Sequence, residues 1–281
     1  MVTVADVAGA LCRWYPEEWA EPWDRVGLVV GEPTAPVRRV LFTVDCLPET
    51  VEQAVDAGAE LVVAHHPLLL RGVSSVATTT YKGRVVHGLI RAGVALYVAH
   101  TNADVAAPGV SDALAETLGL TGLRPLRAAS GAAEGGGRGI GRVGSLPVPV
   151  PLARFARTVA DALPATAWGV RGAGDPDRLL RTVAVCGGSG DEFLADARAA
   201  GADAYVTADL RHHPASEYLA EGGPALLDAA HWATEWPWLG QVSARLTAEL
   251  PVEGIISSRV TDPWTVHARP GMPRDDEEYR P

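Results

Sequence analysis

The chain has 281 residues, 47% of them hydrophobic, which is enough for one large domain or two smaller ones with a packed core. Its formal net charge is -10 with no basic stripe, so nucleic acid is a poor electrostatic partner. No apolar run approaches about 18 residues, the start Met1-Val2-Thr3-Val4-Ala5-Asp6 lacks a signal-peptide pattern, and Cys12, Cys46 and Cys186 are isolated. These features predict a cytoplasmic protein with no membrane partner, no disulfide framework and no cysteine zinc site.

Helical spacing of Val4, Val7, Ala8 and Leu11 predicts a helix over 3–14 with Thr3 as its N-cap. A turn at 23–27 leads into a short strand ending near Gly31, and Val40 to Val44 is a buried strand. Next come a helix from Glu49 to Ala57, a strand from Leu61 to Ala64, a helix from Val85 to Ala92 and a strand from Ala95 to Ala99. Gly58 and Gly93 stop the two helices. Strand, helix, strand, helix, strand predicts a parallel α/β sheet. Asp112 to Leu118 is a further helix, and Ala128 to Gly139 is a Gly-rich surface loop. Then follow a strand at 142–146, a helix at 152–163, a strand at 183–186, a helix at 191–200 and a strand at 204–207. From Arg269 to Pro281 the sequence is polar and Pro-rich, and is expected to be a flexible tail.

The chain carries an internal echo. Val40 to Val44, a helix and Ala57 to Val63 have the layout of Val183 to Gly187, a helix and Ala200 to Val206, at a constant offset of 143 positions. This predicts two related α/β lobes with a cleft between them. The expected division is 1–126 plus 227–268 for the first lobe and 127–226 for the second. Under the offset, His65 and His66 fall on Ala208 and Asp209, so only the first lobe carries the histidine pair.

That pair ends a strongly apolar strand, Leu61-Val62-Val63-Ala64-His65-His66-Pro67. Strand tips are where open α/β sheets place their chemistry. Successive strand side chains point to opposite faces, so the two rings suit two neighbouring metal ions rather than one. A second cluster, His100-Thr101-Asn102-Ala103-Asp104, also follows a strand, on the same sheet edge. Asp104 is a candidate carboxylate ligand, and His100 a candidate donor to a ligand or acid–base group. The third cluster is His231-Trp232-Ala233-Thr234-Glu235, whose His231 and Glu235 share one helix face at i and i+4.

Three histidines and two carboxylates are about what two ions need with positions left open for water. Mixed imidazole and carboxylate ligands suit Zn, Mn, Fe, Co or Ni over Ca or Mg. The expected metal set is therefore His65, His66, Asp104, His231 and Glu235, with Glu235 bridging two divalent ions. Asp209 and His213, past the strand at 204–207, either line the cleft or hold the lobes together. Lys82, the single lysine against 23 arginines, is either a functional amine or a surface charge. No GxxxxGK[ST] loop occurs, and Gly187-Gly188-Ser189-Gly190 is a possible phosphate cradle.

These motifs resemble the NIF3-like family, also described as dinuclear-metal hexameric proteins or GTP cyclohydrolase 1 type 2 homologues. The matching stretches are Asp24-Arg25-Val26-Gly27-Leu28, Gly58 to Leu68, Tyr81-Lys82-Gly83 and His100 to Asp104. Farther along they are Gly139-Ile140-Gly141-Arg142-Val143-Gly144, Gly187 to Gly190, Asp203 to Thr207 and His231 to Glu235. The resemblance implies two α/β lobes with a dinuclear site between them, the same five ligands, and a homohexamer built as a trimer of dimers. It also implies a hydrolase in which a metal-bridging hydroxide attacks a nucleotide or other phosphorylated small molecule, such as opening of the GTP purine ring. A non-catalytic metal-binding oligomer for metal handling or partner scaffolding is the alternative. The chain departs from the family pattern at Arg25, where Asn is usual, and at Ala208, where Gly is usual.

Overall fold

The computed structural model describes residues 1–131 and 137–268. The expected flexible tail, 269–281, lies outside the described residues, as does the middle of the Gly-rich stretch, 132–136.

The first sheet contains β1 (Gly27–Val30), β2 (Arg39–Thr43), β3 (Leu61–Ala64), β4 (Ala95–Val98) and, from the far end of the chain, β11 (Glu253–Ile256). Its order is β1-β4-β3-β2-β11, parallel throughout except for the edge strand β1. The second sheet contains β5 (Thr121–Ala128), β6 (Gly139–Pro151), β7 (Val170–Ala173), β8 (Leu179–Ser189), β9 (Ala204–Ala208) and β10 (Ala225–Ala229). Its order is β5-β6-β8-β9-β10-β7, with β8, β9 and β10 parallel. The expected lobe boundaries need correction on this point. A cut at 126/127 falls inside β5 and one at 226/227 inside β10, and both strands belong to the second sheet.

The helices are α1 (Val4–Trp14), α2 (Pro48–Asp56), α3 (Tyr81–Ala92), α4 (Thr101–Asp104) and α5 (Val110–Thr117). They continue with α6 (Leu152–Ala162), α7 (Leu194–Ala199), α8 (His212–Ala220), α9 (His231–Glu235) and α10 (Pro237–Glu249). The Thr3 cap is present as a capping box with Asp6. Strands β5, β10 and β11 escaped sequence patterning for physical reasons. β5 holds Gly122 and Pro125, which only an edge strand tolerates, while β10 has five residues and β11 four, Glu253-Gly254-Ile255-Ile256, too few to show a period. Pro237 opens α10 at its first position, where a missing N–H costs nothing.

The 143-position echo holds at the level of pairing register. Val40 pairs with Leu61, and Val183 with Ala204; Phe42 pairs with Val63, and Val185 with Val206. It also holds for the faces. Val40, Phe42, Leu61 and Val63 share one core with Val183, Val185, Ala204 and Val206. Leu41 and Val62 point away toward α2 and α3, whereas Ala184 and Tyr205 point away toward α7 and α8. The result is layered: outer helices, a sheet, a central layer containing α5, α9 and α10, a second sheet and outer helices. A buried ion pair ties the lobes, with Arg142 of β6 forked onto Asp112 of α5 at 2.6 Å through two nitrogens. Among the described residues no helix is long and apolar enough to cross a membrane.

Candidate metal centre

Every parallel strand delivers its C-terminal tip to the same edge. β2 leads to Asp45, β3 to His65 and His66, and β4 to His100. From the other sheet, β8 ends near Gly188, β9 leads to Asp209 and β10 to His231. Two short helices then repeat one device. α4 carries Asp104 four residues after His100, and α9 carries Glu235 four residues after His231, so both junctions offer an imidazole and a carboxylate on one face.

Glu235 is the meeting point. Its side chain is 3% exposed. Oε1 lies 3.0 Å from His231 Nε2 and 3.4 Å from His65 Nε2, while Oε2 lies 3.1 Å from His66 Nε2. Asp104 Oδ1 stands 3.7 Å from His65 Nε2. Ligand atoms held about 2.0–2.2 Å from a common ion at tetrahedral angles sit about 3.3–3.5 Å apart, so these spacings are of the size a shared ion sets. His66, His231 and Glu235 form one converging set, and His65, His66 and His100 form another.

The outer nitrogens explain the orientation of the rings. His65 Nδ1 faces the Ala99 carbonyl at 2.9 Å, His66 Nδ1 faces Asp45 at 2.8 Å, His100 Nδ1 faces Asp24 at 2.9 Å and His231 Nδ1 faces Asp209 at 2.7 Å. Each partner is an acceptor, so each neutral ring donates from Nδ1 and turns the Nε2 lone pair inward. Lone pairs on Nε2 then confront the Glu235 carboxylate, and His65 Nε2 and Glu235 Oε2 are buried without a hydrogen-bond partner. Such an arrangement needs a cation at its centre, either protons or a metal. Without a metal, protons fill the role. Burial opposes charge on His66 and His231, but Glu235 together with Asp45 or Asp209 outweighs it and pushes them up to about 10 and about 11. Burial likewise opposes charge on Glu235, yet the facing histidines hold it well below the usual carboxylate range.

The surroundings fit the centre closely. Gly188 has a φ of +68°, and a Cβ there would run into Glu235 Oε1 and stand 3.1 Å from His231 Nε2. Asp209 has a φ of +58°, the only positive value at a non-glycine among the described residues, at the position that anchors His231. His65 packs 5.4 Å from the fully buried ring of Trp238. One cavity, of about 760 Å³, reaches the centre past His100, Asp104 and Glu235. A second, of about 410 Å³, reaches it past His66 and His231.

All five residues expected as ligands meet here, and so does His100, which stands among the rings rather than behind them. Asp45, and the role of Asp24 beneath its motif, escaped sequence analysis. The available signal for Asp45 was its place just past the tip of β2, on the edge that carries the histidines. Asp209 proves to be an anchor, whereas His213 meets His212 edge-to-face and His212 opens α8. Lys82 lies in the first turn of α3 and lines neither cavity. Gly187 to Gly190 does not lead into a helix suited to phosphate. A three-residue turn bearing Asp191 and Glu192 follows, and Gly188 is committed to admitting Glu235.

Comparison with known proteins identifies the family. A family model described as Duf34/NIF3 (NGG1p interacting factor 3) matches residues 2–263. A Streptomyces coelicolor protein named GTP cyclohydrolase 1 type 2 homolog is 55% identical over 274 residues, covering 95% of each chain. The Mycobacterium tuberculosis protein of that name is 38% identical, covering 96% of this chain and 98% of its own. The crystal structure of a Bacillus cereus protein related to NIF3 superposes with a TM-score of 0.85 at 25% identity, over 94% of this chain and 98% of that one. The chain belongs to the NIF3 family.

Proposed function

We propose that this protein is a metal-dependent hydrolase that holds two divalent ions, of Zn, Mn, Fe, Co or Ni, in the cleft between its lobes. The observation that carries the proposal is the single buried carboxylate of Glu235, faced by three Nε2 atoms at 3.0–3.4 Å. In this account the ions would be held by Glu235 between them, with His65 and Asp104 on one side and His66 and His231 on the other. When bound, such a pair supplies a water acidic enough to act as a nucleophile at neutral pH and a clamp for oxygens of the substrate.

The chain supplies the remainder. Asp45 and Asp209 fix the ring orientations. His100, held at Nδ1 by Asp24, presents Nε2 to the larger cavity, where it can take a proton from the nucleophile or give one to the leaving group. That cavity lies in the size range of small-molecule sites, and its wall carries Arg138 together with Arg127, which is paired with Asp196. The names of the relatives make GTP the first compound to test. Self-assembly into a homohexamer is part of the same proposal and is checked by light scattering.

The test is turnover of GTP and of simple phosphoesters by the metal-loaded chain. Hydrolysis lost on chelation and lowered about 10²–10⁴-fold in His100→Ala, with bound metal retained, supports the proposal. Full metal occupancy without turnover of either substrate class refutes it in favour of a metal-handling oligomer.

A further inference from the structure

The smaller cavity has features that the proposed hydrolysis does not use. Its wall carries four carboxylates, Asp45, Asp209, Asp228 and Asp262, beside Arg171, which pairs with Asp228, and the imidazoles of His66 and His231. Asp45 and Asp209 are occupied by His66 and His231, and Asp45 also accepts from Thr261. Asp262 differs from the others. It is only 7% exposed, and its Oδ2 is buried without a hydrogen-bond partner. Its charged neighbours are Asp45, Asp209 and His231, and it forms no ion pair with any of them.

A buried carboxylate oxygen without a hydrogen-bond partner is costly, and an approaching cation relieves that cost. The cavity also contacts His66 and His231, the two imidazoles assigned above to one of the metal positions. However, Asp262 pairs with no nitrogen of His66 or His231, whereas Asp104 Oδ1 stands 3.7 Å from His65 Nε2, so Asp262 lies outside the expected ligand positions. A carboxylate that attracts a cation beside a site without belonging to it is a staging group.

We propose that this cavity is the loading vestibule of the metal centre, with Asp262 as a transient ligand that hands divalent cations to His66 and His231. This rests on the dinuclear reading of the centre. In this arrangement ions enter from one side of Glu235 and substrate from the other. Trp168 and Trp264, whose rings lie 6.0 Å apart on the vestibule wall, are placed to report the passage of a quenching ion.

The experiment is stopped-flow mixing of the metal-free full-length chain with Co²⁺, followed by tryptophan quenching, with bound metal counted at the end point. In the wild type the uptake rate should fall as salt rises. Asp262→Asn should slow both uptake and release about tenfold at low ionic strength, the lower end of steering effects, and leave Kd and stoichiometry unchanged. Asp262→Glu should restore the rates. Glu192→Gln, on the wall of the larger cavity, should leave them alone. Unchanged rates in Asp262→Asn, or slowing by Glu192→Gln instead, would overturn the vestibule. A weaker Kd in Asp262→Asn would make it an ordinary ligand and overturn the transient role. A wild-type chain that takes up no ion would fail the metal centre itself, a result distinct from bound ions with unaltered rates.

Discussion

The two lobes share a scaffold and differ at their tips. Val40 and Val183, Phe42 and Val185, Leu61 and Ala204, and Val63 and Val206 occupy the same pairing register and face the same shared core. Past the equivalent central strands, though, the first lobe continues into His65 and His66 and the second into Asp209. One tip supplies imidazoles, and the other supplies the carboxylate that orients an imidazole, that of His231. The next junctions match again, as His100 with Asp104 and His231 with Glu235. A duplicated scaffold can thus set up a cleft by pairing like with like, while substitutions at a few strand tips decide which side ligates and which side supports.

Breaking the second lobe's central contribution should have the largest effect. Glu235→Ala removes the carboxylate that faces three imidazoles, and metal analysis should show both ions lost from a chain with an unchanged circular dichroism spectrum. Asp104→Ala, in the first lobe, should weaken one ion more than the other. Gly188→Ala should come next, because it places a Cβ against Glu235 and demands a left-handed backbone from alanine. The backbone alone costs about 1–2 kcal/mol, and thermal melting should show that loss together with reduced metal binding. Removing an anchor should do less. Asp209→Ala and Asp45→Ala leave every expected ligand in place, and titration should show metal affinity reduced about 10–100-fold.

A further test concerns pH and the metal-free chain. His66 and His231 are raised in the fold to about 10 and about 11, from 6.5 when unfolded. Protons bound there favour the folded state fully below pH 6.5, and that contribution is lost as pH rises through about 10 and 11. The melting temperature of the metal-free chain should therefore drop as pH is raised from 7 to 10. Metal displaces those protons, so the loaded chain should not show this drop, and loading at pH 7 should release protons to the medium.

Much of this was legible in the sequence because it depends on local pattern. Continuous apolar runs gave the parallel strands, helix stops fell at glycines, and strand tips marked by His65, His66, His100 and His231 sat where parallel sheets present ligands. The five expected ligands do come together. Less legible were features created by long-range pairing. Asp45 carries no motif and matters only because β2 lies beside β3. The lobe boundaries were misplaced because β5 holds a proline and β10 is a five-residue run, and neither has a period to read. The role of Gly188 depends on a side chain 47 positions away, which spacing alone does not reveal.

The central claim is that the cleft holds two ions per chain. Mass spectrometric metal analysis of untagged protein, purified without chelator, tests it most directly. The account predicts close to two equivalents of Zn, Mn, Fe, Co or Ni per chain. A value near zero that added Zn, Mn and Fe do not restore would contradict it.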